Sequence, residues 1–177
     1  MTEDFLAVVE AKRFLGREFL TWLVHGIEEG GGPITRDADG IEIQLGDRVT
    51  LAGTGADRSR MTVAGTGDLG AEIGAGLRRG KLVDQARIAI VRGERRWELS
   101  LDGGTLSYDG VRCPRLGERD LDPRAALEND LFLRIADLEE AIDVLDRLFA
   151  EFCRVRGSST WSGRTLPALR AWADSLR

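Results

Sequence analysis

Apolar residues recur every three or four positions in three parts of the chain, and this period predicts helices. The first helix is expected over residues 4–25, with Gly26 as its stop. A long helix opens at Asp122 and Pro123, because aspartate is a favoured N-cap and proline a favoured first helical residue. A short last helix is expected over residues 166–176. The long helix has the strongest period, through Leu127, Leu131, Ile135, Leu138, Ile142, Leu145, Leu148 and Phe152.

The long helix is predicted to be amphipathic. Its apolar line suits either the protein core or a helix–helix dimer seam, and we favour the core. Its other face is acidic, with Asp137, Glu140, Asp143 and Glu151, and is expected to face solvent. These acids lack the Glu-x-x-His spacing of carboxylate metal sites, so no metal is expected there.

A period of two replaces the helical period in the middle of the chain and predicts strands. The alternation over residues 41–51 is interrupted by Gly46 and Asp47, a pair typical of a tight turn, so a β-hairpin is expected. Further strands are predicted at residues 61–63, 88–91, 97–101 and 105–108. Glycine-containing turns between them indicate an antiparallel β-meander. The expected fold is α+β, with five or six strands and helices packed mainly on one face.

The stretch AGTGDLG, residues 64–70, matches the glycine pattern of a dinucleotide-binding turn, with Asp84 19 residues after Gly65. Such a turn requires a buried parallel strand before it and a closely packed helix after it. Here the preceding strand is half polar, the helix expected over residues 68–79 contains several glycines, and Asp84 precedes its strand. We interpret the match as accidental, with Asp68 as an N-cap. A nucleotide-dependent enzyme is the alternative, but no cofactor is expected.

Composition suits a globular protein, with 42% hydrophobic and 31% charged residues. No apolar run approaches the roughly 20 residues that span a bilayer, and the acidic N-terminus is unlike a secretory signal. We therefore expect a cytoplasmic protein without membrane contact, with Cys113 and Cys153 reduced. One histidine and two isolated cysteines provide neither a zinc site nor a catalytic triad. His25 is expected to pack or to cap the first helix, and no catalytic residue is predicted.

Charge is distributed unevenly, although the net charge is −5. Positive charges exceed negative ones by three over residues 51–119 and by four over residues 154–177, whereas residues 120–153 carry an excess of seven negative charges. Two groups of cations are candidates for contact with a phosphate backbone. They are Arg78, Arg79 and Lys81 after the short helix, and Arg92, Arg95 and Arg96 around a hairpin turn. The alternative is that these cations serve solubility and the helix dipole.

The tryptophans divide into two pairs. Trp22 and Trp97 are in phase with apolar faces, so both are expected in the core. Trp161 and Trp172 lie outside the main pattern, and they either anchor a partner or attach the basic C-terminal segment to the rest of the chain.

Three segments of the sequence resemble the C-terminal half of RdgC, the recombination-associated protein family. They are FLGREFLTWLVH, LRRGKLVDQARIAIVRGERRWELSLDGGTLSYDGVRCP and ENDLFLRIADLEEAIDVLDRLFAEF, in that order over about residues 14–155. The resemblance implies a non-enzymatic, nucleoid-associated homodimer that binds double-stranded DNA without sequence preference. Members of the family form a ring around the duplex and limit access of the RecA recombinase, so a recombination protein is an implied partner.

Carried over by position, Lys81 matches the lysine of the family's Gly-Lys-Val-Val-like segment, which makes it the first candidate for a phosphate contact. The family's N-terminal half has no counterpart in this sequence, and a basic tail follows the similar region. We therefore expect an RdgC-like domain over residues 1–156 and a tryptophan-containing tail over residues 157–177. The alternative function is a protein-interaction or assembly module, derived from a shortened RdgC-like domain, that does not bind DNA.

Overall fold

The computed structural model of this protein describes residues 14–29, 40–54, 57–65, 69–115 and 123–176. The helices in these ranges are α1 (Phe14–Glu28), α2 (Gly70–Arg78), α3 (Pro123–Arg156) and α4 (Leu166–Ser175), the last directly preceded by a π-helical turn, Trp161–Thr165. The strands are β1 (Ile41–Ala52), β2 (Arg60–Ala64), β3 (Leu82–Arg92), β4 (Arg95–Asp102) and β5 (Ser107–Arg112).

The five strands form one antiparallel sheet in the order β2-β1-β3-β4-β5. In β4, Trp97, Leu99 and Leu101 are buried, whereas the alternate residues Glu98 and Ser100 are partly exposed. The apolar face packs against the helices, and the opposite, polar face is called the open face below. This arrangement confirms the predicted α+β class, with antiparallel strands, helices on one side and a long C-terminal helix.

The hairpin predicted within residues 41–51 is wrong, because β1 is one continuous strand. Leu45 pairs with Ile88 and Val49 with Ala86 on β3, so three residues of β1 lie opposite one residue of β3. This bulge absorbs Gly46 and Asp47 without reversing the chain. Both halves of β1 stay in the sheet because β3 pairs along nearly their whole length.

Strand β3 begins at Leu82, six residues before the predicted start at residue 88. Asp84 and Gln85 interrupt the apolar alternation, so the sequence pattern hid the first half of the strand. The register shifts at Asp84, and the freed backbone N–H of Val83 donates to Thr21 Oγ1 of α1 at 3.0 Å. Asp84 is therefore inside a strand, which corrects its predicted place before one.

Helix α3 turns a different face to the core from the one predicted. Among residues 127–156 of the helix, the buried ones are Asp137, Ala141, Val144 and Phe152, whereas Leu127, Leu131 and Ile135 of the predicted line are exposed. The core assignment is thus wrong for the N-terminal part of that line. The solvent-facing assignment is also wrong for Asp137, which is buried, and for Glu140, which is partly buried.

The C-terminal tryptophans attach the tail to the body. Trp161 and Trp172 are buried in the same core cluster as Trp22 and Trp97, which were expected there. The ring of Trp172 packs edge to face on His25 at 5.2 Å between ring centroids, and this packing lowers the pKa of His25 mainly through burial. The packing role predicted for His25 is confirmed.

Several predicted boundaries shift by a few residues. Helix α1 continues past the predicted stop at Gly26 to Glu28, and the last strand lies at Ser107–Arg112 rather than at residues 105–108. The predicted helix over residues 4–25 lies partly, and the predicted caps Asp68 and Asp122 wholly, outside the described residues.

Candidate functional site

The six cations predicted to contact phosphate do not form one surface. Arg78, Arg79 and Lys81 lie around the end of α2. Arg92 and Arg95 contact α3, and Arg96 lies on the open face of the sheet. Their role in DNA binding stays a prediction, and their partners differ.

Lys81 is turned inward at the end of α2. Gly80 adopts a positive φ of 78°, which glycine tolerates without steric cost, and the N–H of Lys81 donates to the carbonyl of Gly76 at 3.2 Å. The residue is only 7% exposed. Its Nζ donates to Asp57 Oδ2 at 3.2 Å, to the Ser59 carbonyl at 3.1 Å and to Ser59 Oγ. Lys81 therefore ties the loop between β1 and β2 to the start of β3.

The contact between Ser59 and Lys81 resembles the pairing of a serine nucleophile with a lysine base. Such a base must be neutral to accept a proton. Here Lys81 is instead the donor, to Ser59 and to the carboxylate of Asp57, and that carboxylate also accepts from the Ser59 hydroxyl. The arrangement works as an ionic clamp on the loop.

The carboxyl of Asp57 is expected to titrate at about pH 2. Hydrogen bonds from the side chain and backbone of Ser59, and then from Lys81, lower its pKa to about 2 from the ordinary 3.8. Because the folded-state pKa is depressed, the contribution of Asp57 to stability is complete above pH 3.8 and is lost as the pH falls through about 2. Carboxyl NMR titration measures this pKa directly.

Ser59→Ala should raise the pKa of Asp57 toward 3.8, since it removes the hydroxyl donor. Ser162→Ala, at an exposed serine in the π-helical turn, is the matched control and should leave it unchanged. An Asp57 carboxyl that titrates near pH 3.8 in the unaltered protein would contradict the clamp.

Arg78 holds the end of the tail. Its Nη1 donates to the carbonyls of Ala173 at 2.5 Å and Leu176 at 2.6 Å, which lie at the C-terminal end of α4. A guanidinium group at this end satisfies free carbonyls and complements the helix dipole. Arg79, the next residue, is exposed and makes no ion pair with any residue in the described ranges.

Arg92 and Arg95 connect the β3–β4 turn to α3. They are register partners at the end of the two strands. Arg95 pairs with Asp137 and Glu140 at 2.6 Å each, and Arg92 pairs with Glu140 at 2.9 Å. The two cations are therefore largely neutralised by the two acids of α3 that the sequence placed in solvent.

The open face carries a second group of arginines, of which the sequence had indicated only Arg96. Arg87, Arg96 and Arg112 stand on three neighbouring strands and surround Glu98, at 3.5, 3.1 and 3.7 Å between charged atoms. Arg87 also pairs with Asp47 at 3.5 Å. Three guanidinium groups thus share two carboxylates, and Glu42 joins the same network through Gln44, which accepts from Arg96.

Two shallow depressions lie on the open face, and Arg87 lines both. The first, of about 270 Å³, includes Arg48 with Asp102 and Asp109, so the four arginines that line the two depressions face four acids. The second, of about 310 Å³, contains the arginines around Glu98. Alternation within the strands was the sequence signal for these arginines, since Arg87 stands between buried Ala86 and Ile88. Arg87 has no cation beside it in the sequence, so local clustering of charge did not indicate it.

A buried carboxylate near the start of β3 joins that strand to α1 and β2. Asp84 is 1% exposed, and its Oδ1 accepts from Arg17 Nε of α1 at 2.6 Å. Its Oδ2 lies 2.8 Å from a guanidinium nitrogen of Arg60 on β2. Arg17 also donates to the Gly53 carbonyl at 3.4 Å. Asp84, the acid of the dinucleotide-binding pattern, therefore anchors α1 to the sheet.

The described part of the chain contains no group of three or more histidine, cysteine, aspartate or glutamate side chains placed to hold a metal ion. Cys113 and Cys153 are not joined in a disulfide. Among the helices of the described ranges, none combines the length and apolar character needed to cross a bilayer.

Comparison of the sequence with models of known protein families and with curated proteins finds no match. The function must therefore be argued from the surfaces described above.

Proposed function

We propose that this protein is a non-enzymatic module that binds double-stranded DNA, without sequence preference, through the open face of its sheet. The observation that supports this proposal is the group of Arg87, Arg96 and Arg112 around Glu98. A phosphate group can replace Glu98 as the acceptor for these guanidinium donors, since arginine binds phosphate and carboxylate with the same geometry.

The chemistry of this face suits backbone contact and not base reading. The arginines lie on neighbouring strands of one sheet, and contacts from such a surface to phosphate carry no sequence information. The resemblance to RdgC supports a role in recombination or nucleoid organisation in the cytoplasm. Lys81 was the first candidate for a phosphate contact in the sequence. We assign these contacts to the open face instead, because Lys81 is buried in its clamp with Asp57 and Ser59.

The double variant Arg96→Glu/Arg112→Glu is expected to weaken duplex binding at least tenfold at low salt. It should also reduce the slope of log K against log salt concentration by about 2, since each phosphate contact contributes roughly 0.9 to that slope. Fluorescence anisotropy of a labelled duplex, measured at several salt concentrations, gives both quantities.

The matched control is Arg154→Glu/Arg170→Glu, which changes the net charge equally at two exposed helical positions. It should retain the binding and the salt slope of the unaltered protein. If the unaltered protein binds neither duplex nor single-stranded DNA at low salt, or if the two double variants behave alike, the open face is not a DNA-binding surface.

The second candidate is a protein-interaction or assembly module, and one observation favours it. The N-terminal part of α3 exposes four large apolar side chains to solvent: Leu127, Leu131, Phe132 and Ile135. Large exposed apolar patches mark interaction surfaces in soluble proteins. The expected homo-oligomer stays a prediction, and the mass in solution, with and without duplex DNA, tests it.

A further inference from the structure

The N-terminal part of α3 is largely exposed, and Arg134 joins it to the body through a hydrogen bond to the Pro114 carbonyl at 2.8 Å. None of its residues from 127 to 136, called the projecting end here, is buried. Its four large apolar side chains are 44–73% exposed, whereas the same helix from Asp137 onward packs on the core. Helices gain most of their stability from packing of an apolar face, and the apolar side chains of this end have no such contact with the core.

An apolar groove lies beside α3, immediately after the projecting end. Its walls include Leu106 and Tyr108, at the start of β5 and the turn before it, and Ile142, Leu145 and Phe149 of α3, and its volume is about 220 Å³. Residues four or three apart lie on the same side of a helix. One apolar strip therefore runs from the projecting end into the groove; its members on α3 are Leu127, Leu131, Ile135, Leu138, Ile142 and Leu145.

Exposed acids outnumber cations over residues 127–146 of α3. Asp130, Glu139, Asp143 and Asp146 make no ion pair with any described residue, and Asp146 also lines the groove. A second copy of this chain would bring the same acids against each other, and DNA would be repelled by them. The charge instead complements a partner with lysine or arginine beside its apolar residues.

We propose that the projecting end and the groove bind a basic amphipathic helix of a partner protein. A helix laid along α3 matches the spacing of the strip, and one large apolar side chain fills the groove beside Leu106 and Ile142. The surface lies on the helical side of the sheet, since Asp137 of α3 contacts Arg95 and Trp97 on the packed side. The groove and the open face therefore lie on opposite sides of the sheet, and Asp102 stands at the border of both.

The test uses two synthetic helical peptides with the same leucine and phenylalanine positions at i, i+3, i+4 and i+7. One carries lysine at the flanking positions and the other carries glutamate. Fluorescence anisotropy with the full chain is expected to show at least tenfold tighter binding of the lysine peptide. Leu131→Ser/Ile135→Ser should weaken that binding at least tenfold, and so should Asp143→Lys/Asp146→Lys.

The matched control is Ala136→Ser/Ala150→Ser, at exposed alanines of the same helix outside the strip, and it should bind like the unaltered chain. All these variants alter exposed side chains, so circular dichroism should show the same fold in each. Failure to bind the lysine peptide, or equal binding of both peptides, would overturn the proposal. So would a concentration-dependent dimer that Leu131→Ser abolishes, because the occupant would then be a second copy. Duplex binding through the open face is measured separately, and its loss would leave this result unaffected.

Discussion

Replacing Asp84 by alanine is expected to lower the free energy of unfolding by about 3–5 kcal/mol. The carboxylate is almost completely buried, and two guanidinium groups from α1 and β2 lie within 2.8 Å of it. Without it, the partly buried cation of Arg17 has lost its counter-charge. Urea unfolding followed by tryptophan fluorescence measures the change, provided that the slope of the transition stays constant.

Asp47→Ala is the matched control, since it removes a carboxylate from an exposed pair with Arg87. Its 3.5 Å contact is screened by solvent, so the expected change is about 1 kcal/mol or less. Arg17→Met/Asp84→Leu should be more stable than Asp84→Ala, because removing both charges also removes the cost of burying one of them unpaired. An Asp84→Ala protein within about 1 kcal/mol of the unaltered one would show that this ion pair does not anchor α1.

Phe152→Ala is expected to cost about 3–5 kcal/mol of stability, because it empties a site in the middle of the aromatic core. Phe152 is 1% exposed, and its ring lies 5.6–6.1 Å from four others. These rings, which join α1, α3 and the C-terminal segment, belong to Phe19, Trp22, Phe149 and Trp161. Chemical denaturation of purified protein measures the loss.

Phe132→Ala provides an unusually close control, with the same substitution on the same helix. Phe132 is 70% exposed on the projecting end, so its truncation should change the stability by no more than about 0.5 kcal/mol. Equal losses for the two variants would mean that the projecting end packs on the body, which would also remove the docking surface proposed for a basic helix.

The helices illustrate what local pattern can and cannot predict. A period of 3.6 residues identified α3 and its extent, but leucine and isoleucine occupy more of its circumference than the core covers. Which part is covered depends on the sheet, where Arg95 and Trp97 hold Asp137 through its side chain and its backbone carbonyl. A buried aspartate cannot be recognised from an apolar pattern, so the predicted face was displaced around the helix.

The candidate site was found only in part for a related reason. Adjacent cations such as Arg95 and Arg96 look like one cluster in the sequence, yet successive residues of a strand point to opposite faces. Arg95 consequently pairs with α3, while Arg96 joins Arg87 and Arg112 on the open face. That second group comes from three strands, and only their register brings its members together.

The sequence by itself determined the α+β class, the antiparallel strands and the core positions of Trp22 and Trp97, because those follow from local period and turn chemistry. It also placed His25 in a packing role. The tertiary structure decided the continuity of β1, the burial of Lys81 and Asp84, and the face that α3 turns to the core. Each of these depends on contacts between residues far apart in the chain, where pairing and charge neutralisation outweigh local preference.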